Sequence, residues 1–263
     1  MTATTPDNFK HCEANLRSHD KDLWLACLFA PTAVRHDLHT IYAFVCEIRD
    51  IRAKVSQALL GEMRLRWWSD TLESINLDTA HAHPVADALR DVMRRHALPR
   101  DDFFRLLEAH IFDLYDDPMP TRAALETYCR STSVAPMQWA AKIVGAPVSN
   151  AFHDAGLALG LTRTLSTQSQ KFIPLDDPTA ASRHDYAKVH QQLISIARDC
   201  YQSAYRAAGE LKSGREALLP ASVVPLFLEQ LTQRDYDPDQ SPIIISPLRR
   251  QWRLWRAARN YGL

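Results

Sequence analysis

Apolar residues recur at helical spacing along most of this 263-residue chain, and this pattern restricts the fold more than any other feature. Leu38, Ile41, Val45 and Ile48 lie three or four residues apart, as the buried face of a helix requires. The chain holds 15 prolines but only 7 glycines, which favours long helices ended by proline over strands joined by glycine-rich turns. The sequence therefore predicts an all-α protein.

The helical pattern divides into segments that end at proline or in polar stretches. Pro136 falls inside one segment and predicts a kink, because its ring clashes with the preceding turn and it lacks an amide donor. We see no tandem repeat and no linker long enough to separate domains, so one domain over 1–263 is expected. The predicted helices cover residues 7–18, 21–30, 32–54, 57–76, 84–97, 100–116, 121–145, 149–168, 183–213, 220–233 and 247–261.

Charge and cysteine content disfavour several classes of protein. The 31 basic residues balance the 31 acidic residues, so no nucleic-acid partner is expected. The five cysteines are scattered and odd in number, which fits buried, reduced thiols better than a disulfide framework or a zinc site. The N-terminus lacks a secretion signal and no apolar run approaches the roughly eighteen residues of a membrane span, so a cytoplasmic location is expected.

Short motifs follow one another in a particular order between roughly residues 20 and 180. They are the aromatic-rich segment 22–26, then Pro31, then Ile-Tyr-Ala-Phe at 41–44, Leu-Arg-Trp-Trp at 65–68 and Lys-Phe-Ile-Pro at 171–174. Their order and spacing resemble the squalene/phytoene synthase family. The resemblance implies an orthogonal helical bundle of the isoprenoid synthase type, in a single domain, around a central apolar cavity.

The resemblance also implies where ligands bind in this fold. It places Tyr42, Phe44, Trp67 and Leu161 on helices around the cavity, where they are expected to line it. Active members hold magnesium with two acidic motifs near the cavity mouth, and magnesium binds the diphosphates of two prenyl substrates. Carboxylates four residues apart share one helix face and can hold hard cations, which stabilise the departing diphosphate.

The first acidic motif of the family falls on residues 47–54. Its two essential aspartates align with Arg49 and Ala53, so the acids that remain are Glu47 and Asp50. These two acids could hold a metal weakly, but salt bridges to neighbouring arginines are the simpler use. The first motif is therefore degenerate.

The second acidic motif is degenerate as well. Gly160, Arg163, Thr167 and Lys171 occupy its positions, and each magnesium-facing acid of the family is absent. Catalysis by the family mechanism is not expected, and we assign no catalytic residue, metal ligand or cofactor. Magnesium would be a cofactor only if the chain were an active synthase with acids recruited from other positions.

Cations stand where the family has metal-binding acids. Arg49, Arg163 and Lys171 are candidates for binding an anionic lipid or a prenyl phosphate, since arginine binds phosphate through paired donors without a metal. In the alternative, these cations pair with Glu47, Asp50 and other acids and close a disused entrance.

Three other groups of polar residues suggest chemistry but have simpler explanations. Asp113 and Asp117 are four residues apart, but acids before a proline are commonly solvated or capping residues. His36 and His39 are three residues apart and lack a good third ligand nearby. The serine, histidine and aspartate within 182–185 are sequence neighbours without the turn that presents a catalytic nucleophile.

Two glycines, Gly156 and Gly160, lie four residues apart on one predicted helix. Each costs helix stability, so their spacing predicts close approach of another helix. At the adjacent tryptophans Trp67 and Trp68, at most one side chain can line a cavity, because neighbouring helical residues point in different directions.

The C-terminal segment is rich in arginine and tryptophan and contains no acid. On a helix, Leu248, Trp252 and Trp255 share one face, with Arg253 and Arg256 beside it. This pattern predicts a basic amphipathic helix that lies on an anionic membrane or docks an acidic partner. In the alternative, the tryptophans complete the core while the arginines reach water.

One branch of the family, which includes a mitochondrial complex I assembly factor, shows the same loss of acids. The shared features are the segment 61–68, the glycine at 160 and the loop 171–174. This resemblance implies a non-catalytic lipid-binding or prenyl-binding protein or assembly helper, with a respiratory complex as partner and peripheral contact with the inner membrane face. The alternatives are an active head-to-head prenyl diphosphate synthase and a scaffold that only binds a partner.

Overall fold

The computed structural model describes residues 6–74, 83–167, 169–174, 183–233 and 243–260. Within these ranges the chain is helical and contains no strand, as predicted. Short 3-10 segments lie at Arg52–Lys54, Phe112–Leu114 and Arg215–Val223, and a π turn lies at Arg130–Val134. The α-helices are α1 (Pro6–His19), α2 (Lys21–Cys27), α3 (Thr32–Arg49), α4 (Ala58–Glu73), α5 (Pro84–Arg95), α6 (Arg100–Ile111), α7 (Arg122–Cys129), α8 (Ala135–Ile143), α9 (Asn150–Thr167), α10 (Ser169–Phe172), α11 (Arg183–Glu210), α12 (Val224–Gln233) and α13 (Pro247–Arg259).

Helices α3 and α9 carry the two motif regions through the core. Most of α3 is buried from Asp37 onward, and α9 is buried on nearly every side. A Cβ atom on Gly156 would lie 2.6 Å from the Cα of Val134, and one on Gly160 would lie 2.9 Å from the Cβ of Cys129. Only glycine permits so close a backbone approach, so the helix contact predicted from these two positions is confirmed.

The helix predicted over 121–145 is divided by a π turn. α7 ends at Cys129, the π turn occupies Arg130–Val134, and Pro136 then stands in the first turn of α8. Proline is tolerated in a first turn, where its missing amide has no helical partner. The irregularity expected at Pro136 therefore lies one turn earlier, as an extra residue in the helix.

Some helix ends differ from the prediction. α3 ends at Arg49 with Asp50 as its C-cap, so the predicted continuation to residue 54 is wrong, and a 3-10 turn follows. The stretch before α12 is a 3-10 segment that contains Pro220, whose ring excludes a regular α-helix there. Ser182 of the group considered within 182–185 lies outside the described residues, and Lys171 and Phe172 of the predicted loop 171–174 belong to α10.

A main core cluster includes residues from Cys12 to Leu231, and a small second cluster holds α13 against the body. The expectation of one domain over 1–263 stays a prediction. All five cysteines are free thiols, four of them buried and Cys200 partly buried, in agreement with the sequence. Within the described ranges, no helix has the length and apolar character that crossing a membrane requires.

Candidate functional site

The first motif lies at the C-terminal end of α3. Glu47 and Arg49 are in the last turn of this helix, Asp50 caps it, and Ala53 lies exposed in the 3-10 turn that follows. Because α3 ends at Arg49, Arg49 and Ala53 do not share one continuous α-helical face. The geometry of paired acids on one helix face would therefore not be available here without a change in the backbone.

One carboxylate, that of Asp20, joins the two degenerate motifs. Asp20 caps α2, and its Oδ1 accepts a hydrogen bond from the backbone amide of Leu23 at 3.0 Å. Its Oδ2 accepts a hydrogen bond from Arg49 Nη1 at 2.9 Å and lies 3.9 Å from Arg163 Nη2. Arg49 and Arg163 therefore face each other across a single aspartate.

The two arginines set the ionisation of Asp20. Burial alone would raise the pKa of this carboxyl group, but Arg163 and Arg49 outweigh burial and hold the pKa below its usual value. The side chain of Asp20 is 15% exposed, and those of Arg49 and Arg163 are 34% and 36% exposed. Asp20 is therefore a carboxylate at neutral pH and neutralises part of the arginines' charge.

Two further ion pairs extend this group. Arg49 Nε lies 3.3 Å from Asp50 Oδ1, and Arg250 Nε of α13 lies 2.8 Å from Asp22 Oδ2, without hydrogen-bond geometry. Burial raises the pKa of Asp22, and Arg250 opposes that shift. The formal charges of the group balance. We call its members the Arg–Asp cluster: Asp20, Asp22, Arg49, Asp50, Arg163 and Arg250.

Lys171 has a different set of contacts. Its ammonium donates to the backbone carbonyls of Phe112, at 2.9 Å, and Tyr115, and lies 4.5 Å from the centre of the Phe112 ring. Burial lowers its pKa, against the effect of Asp113. Lys171 therefore fastens α10 to the segment after α6. Thr167, the remaining second-motif position, is exposed and donates to its own helix at the carbonyl of Arg163.

Three of the four residues predicted to line a cavity are in the core. Tyr42, Phe44 and Leu161 are 5%, 0% and 3% exposed, and the Phe44 ring lies 5.0 Å from that of Trp68. Trp67 instead is 41% exposed and lines a surface groove of about 810 Å³ between α4 and α6. The inward tryptophan of the pair is Trp68, so the prediction for Trp67 is corrected. The lining of a central cavity by the three buried residues stays a prediction.

Glu47 belongs to a smaller groove of about 320 Å³ that Trp67, Trp68 and His83 also line. Its Oε1 accepts a hydrogen bond from Asn15 at 2.8 Å, and its Oε2 lies 3.7 Å from His83 Nε2. Burial raises the pKa of Glu47 to about 7 and lowers the pKa of His83. Glu47 and Asp50, the two surviving acids of the first motif, thus have different partners.

The acid pair considered as a metal site has other partners. Asp113 accepts a hydrogen bond from the Tyr128 hydroxyl at 3.0 Å and lies 2.6 Å from His110 Nδ1, whereas Asp117 is exposed. Among the described residues, no three histidine, cysteine, aspartate or glutamate side chains are grouped so that they could hold a metal ion.

Asp37 is a buried charge that the sequence reasoning missed. It is 1% exposed and accepts two hydrogen bonds from Arg95, at 2.9 and 2.6 Å. His96 Nε2 lies 2.8 Å and His36 Nε2 3.1 Å from its oxygens, so His36 is not paired with His39. The sequence signal for this site was an acid, Asp37, on the apolar face of the helix predicted over 32–54. The arrangement links α3 to α5.

The predicted membrane or partner helix is α13. Trp252 and Trp255 are 62% and 40% exposed, so the alternative in which they complete the core is wrong. Arg256 is exposed beside them. Arg253 instead turns inward and donates to the backbone carbonyl of Ser222 at 3.2 Å.

The fold and the two motif positions now define the class of protein. A model of the squalene/phytoene synthase family matches residues 16–170, which is more than half of the chain. The chain therefore belongs to this family.

The chain is 26% identical over 244 residues to a protein of Rattus norvegicus named NADH dehydrogenase (ubiquinone) complex I, assembly factor 6. That match covers 88% of this chain and 73% of the rat protein.

Two solved structures that superpose on this chain are those of synthases. A dehydrosqualene synthase in complex with a ligand superposes with a TM-score of 0.75 at 19% identity, covering 97% of this chain and 96% of that one. The squalene synthase HpnC from Alicyclobacillus acidocaldarius gives 0.74 at 18% identity, covering 88% and 95%. These likenesses confirm the isoprenoid synthase type of fold.

Proposed function

We propose that this protein is a non-catalytic member of the family that helps to assemble a respiratory NADH dehydrogenase. The observation that carries the proposal is the ion pairing of Arg49 and Arg163 with Asp20. The two magnesium-binding motifs of active members carry arginines here, and an aspartate of the same chain neutralises part of their charge. The similarity to complex I assembly factor 6 supports the assembly role.

Electrostatics support the absence of prenyl transfer. A diphosphate leaves readily only when positive charge meets it, and magnesium supplies that charge in active members. The Arg–Asp cluster has three cations and three anions, so it offers no surplus positive charge. The rival reading, an active head-to-head synthase, would need acids recruited from elsewhere in the chain.

The enzymatic part of the proposal is tested with purified protein, magnesium and farnesyl or geranylgeranyl diphosphate. We expect no pyrophosphate release above the protein-free control, with an active squalene synthase as positive control. Calorimetry should show no specific magnesium uptake in the presence of a diphosphate. Release or specific uptake would support the synthase instead.

The assembly part requires the host organism. Deleting the gene should reduce the amount of assembled NADH dehydrogenase on native gels, and expression of the wild-type chain should restore it. The proposal includes a cytoplasmic location and contact with the inner membrane face, which fractionation would test. A normal amount of assembled complex after deletion would contradict the assembly role. It would favour the alternative of a scaffold that binds a different partner.

Binding of an anionic lipid or prenyl phosphate at Arg49 and Arg163 stays a prediction. The balanced cluster favours the alternative in which these cations close a disused entrance. Mass spectrometry of gently extracted protein separates the two. A lipid that is lost from an Arg49→Glu, Arg163→Glu variant would support the ligand, whereas empty wild-type protein would support the closed entrance.

A further inference from the structure

α13 has two opposite faces. Leu254 and Ala257 are buried and pack against Ala26 and Leu219 of the body. The opposite face carries side chains three and four residues apart, which form one stripe on a helix. We call it the tryptophan stripe: Leu248, Trp252 and Trp255, which are 80%, 62% and 40% exposed.

Two inward arginines fix the rotation of this helix. Arg250 pairs with Asp22 at 2.8 Å, and Arg253 donates to the Ser222 carbonyl and to the Tyr201 hydroxyl. Rolling α13 to bury the tryptophans would break these contacts and expose Leu254. The tryptophan stripe is therefore held outward by the fold.

The stripe has the chemistry of a lipid–water interface. The Trp252 and Trp255 rings stack with centroids 5.1 Å apart, and the Arg259 guanidinium lies 5.0 Å from the Trp255 ring. Tryptophan combines a large apolar body with a polar N–H, which favours the headgroup level of a bilayer. Just before the helix, Ile244 is 88% exposed.

A basic groove borders the stripe. It has a volume of about 560 Å³ and lies between α11 and α13, and Arg256 belongs to both the groove and the flank of the stripe. Among the described residues that line it there is no acid. Guanidinium and phenol groups bind phosphate through several donors. The lining includes Tyr201, Tyr205, Arg206, Arg253 and Arg256.

We propose that α13 binds the surface of a membrane that contains anionic phospholipid. The tryptophan stripe enters the boundary between headgroups and acyl chains, and a lipid phosphate occupies the basic groove. Arg256 and Arg259 are exposed beside the stripe and match a negative surface, whereas Arg249 and Arg250 pair with Glu229 and Asp22. The exposed tryptophans beside exposed arginines suit an anionic lipid surface. This inference does not depend on the assembly role.

Cosedimentation of the full chain with vesicles tests the proposal. The vesicles contain phosphatidylcholine alone or phosphatidylcholine mixed with phosphatidylglycerol. We expect binding to the mixed vesicles to be at least about tenfold tighter, to weaken with salt, and to shift tryptophan fluorescence to the blue. A Trp252→Ala, Trp255→Ala variant should lose about tenfold or more in vesicle affinity.

Matched variants distinguish binding through the tryptophan stripe from nonspecific binding through other exposed apolar side chains. Leu59 and Met63 of α4 are 64% and 62% exposed, and a Leu59→Ala, Met63→Ala variant should bind vesicles like the wild type. An Arg206→Gln, Arg256→Gln variant should lose the preference for phosphatidylglycerol. The tryptophan and α4 substitutions leave the net charge unchanged, whereas those of Arg206 and Arg256 remove two positive charges. Circular dichroism should show an unchanged helical fold in every variant.

Three results would overturn the proposal. Equal binding of the wild type to both kinds of vesicle would remove the role of anionic lipid. Equal losses in the α4 variant and the tryptophan variant would remove the role of the stripe. Folded wild-type protein that binds no vesicle would assign the face to a protein partner instead.

Discussion

Replacing Asp20 tests whether one aspartate holds the two degenerate motifs together. Asp20→Asn keeps a side-chain oxygen that can cap α2 but removes the charge between Arg49 and Arg163. Asp20→Ala removes both the charge and the cap. The difference between the two variants therefore separates capping from ion pairing.

The expected cost follows from burial. Breaking a fully buried ion pair costs about 3–5 kcal/mol, because the partner's charge is left without compensation. The guanidinium side chains of Arg49 and Arg163 are 34% and 36% exposed, so water screens part of this loss. We expect Asp20→Asn to lower the free energy of unfolding by about 2 kcal/mol, and loss of the cap in Asp20→Ala to add about 1 kcal/mol.

Urea unfolding with a double-mutant cycle measures the interaction. Arg49→Met keeps the apolar stem of the side chain, and the cycle with Asp20→Asn should give a coupling energy of about 1 kcal/mol. The pH dependence has a definite sign. The folded-state pKa of Asp20 lies below its unfolded value, so its stabilisation is complete above the unfolded pKa of about 4 and is lost as the pH falls through the folded pKa.

An unchanged or higher free energy of unfolding in Asp20→Asn, together with zero coupling to Arg49, would refute this reasoning. The two arginines would then not depend on Asp20 for compensation. They would be available to an external anion, and the lipid-ligand alternative would gain support.

Two further predictions concern Glu47 and Gly156. The pKa of Glu47 is raised from 4.5 to about 7, so the folded state loses stability as the pH rises between these values. The Glu47→Gln variant should therefore be about 2–3 kcal/mol more stable than the wild type at pH 8 but equal to it near pH 4. Matching urea-unfolding profiles for both proteins would contradict this. Gly156→Ala should lower the free energy of unfolding by about 1–3 kcal/mol, because its Cβ would meet the Val134 backbone. Gly209→Ala has open space around the new methyl group and should raise the free energy of unfolding by about 0.5–1 kcal/mol. Equal effects of the two alanines in thermal unfolding would show that α9 relaxes away from Val134.

The helical fold could be predicted because period and proline placement are local properties of the sequence. The end of α3 could not, because residues 50–54 have no proline or glycine to stop a helix. The chain leaves the helix where Asp50 caps it, and Asp50 pairs with Arg49 there. Pro136 correctly predicted an irregularity in the helix over 121–145, but not that it would be a π turn. A π turn depends on how the neighbouring helices pack.

The candidate site was located by motif position but its geometry was not. Asp20 lies 29 residues before Arg49, and no local pattern pairs them. The spacing of the second motif predicted that Lys171 lies at the site, yet its ammonium donates to the backbone carbonyl of Phe112. The outward direction of Trp255 also depends on tertiary contacts, because an amphipathic pattern does not say which of two faces is buried.

Restoring the first motif alone should not restore a metal site. Arg49→Asp with Ala53→Asp would put one new carboxylate at the end of α3 and the other in an exposed 3-10 turn, so the two would not share one helical face. The new acid at 49 would stand beside Asp20, and Arg163 would still occupy the second motif, where it would neutralise only part of their charge. We expect no magnesium uptake by calorimetry with a diphosphate present and no pyrophosphate release, with Ala53→Asp alone as the surface-charge control. Specific magnesium uptake by the double variant but not by that control would mean that the end of α3 can still form the family's metal geometry. The loss of the acids at positions 49 and 53 would then be the whole barrier to metal binding.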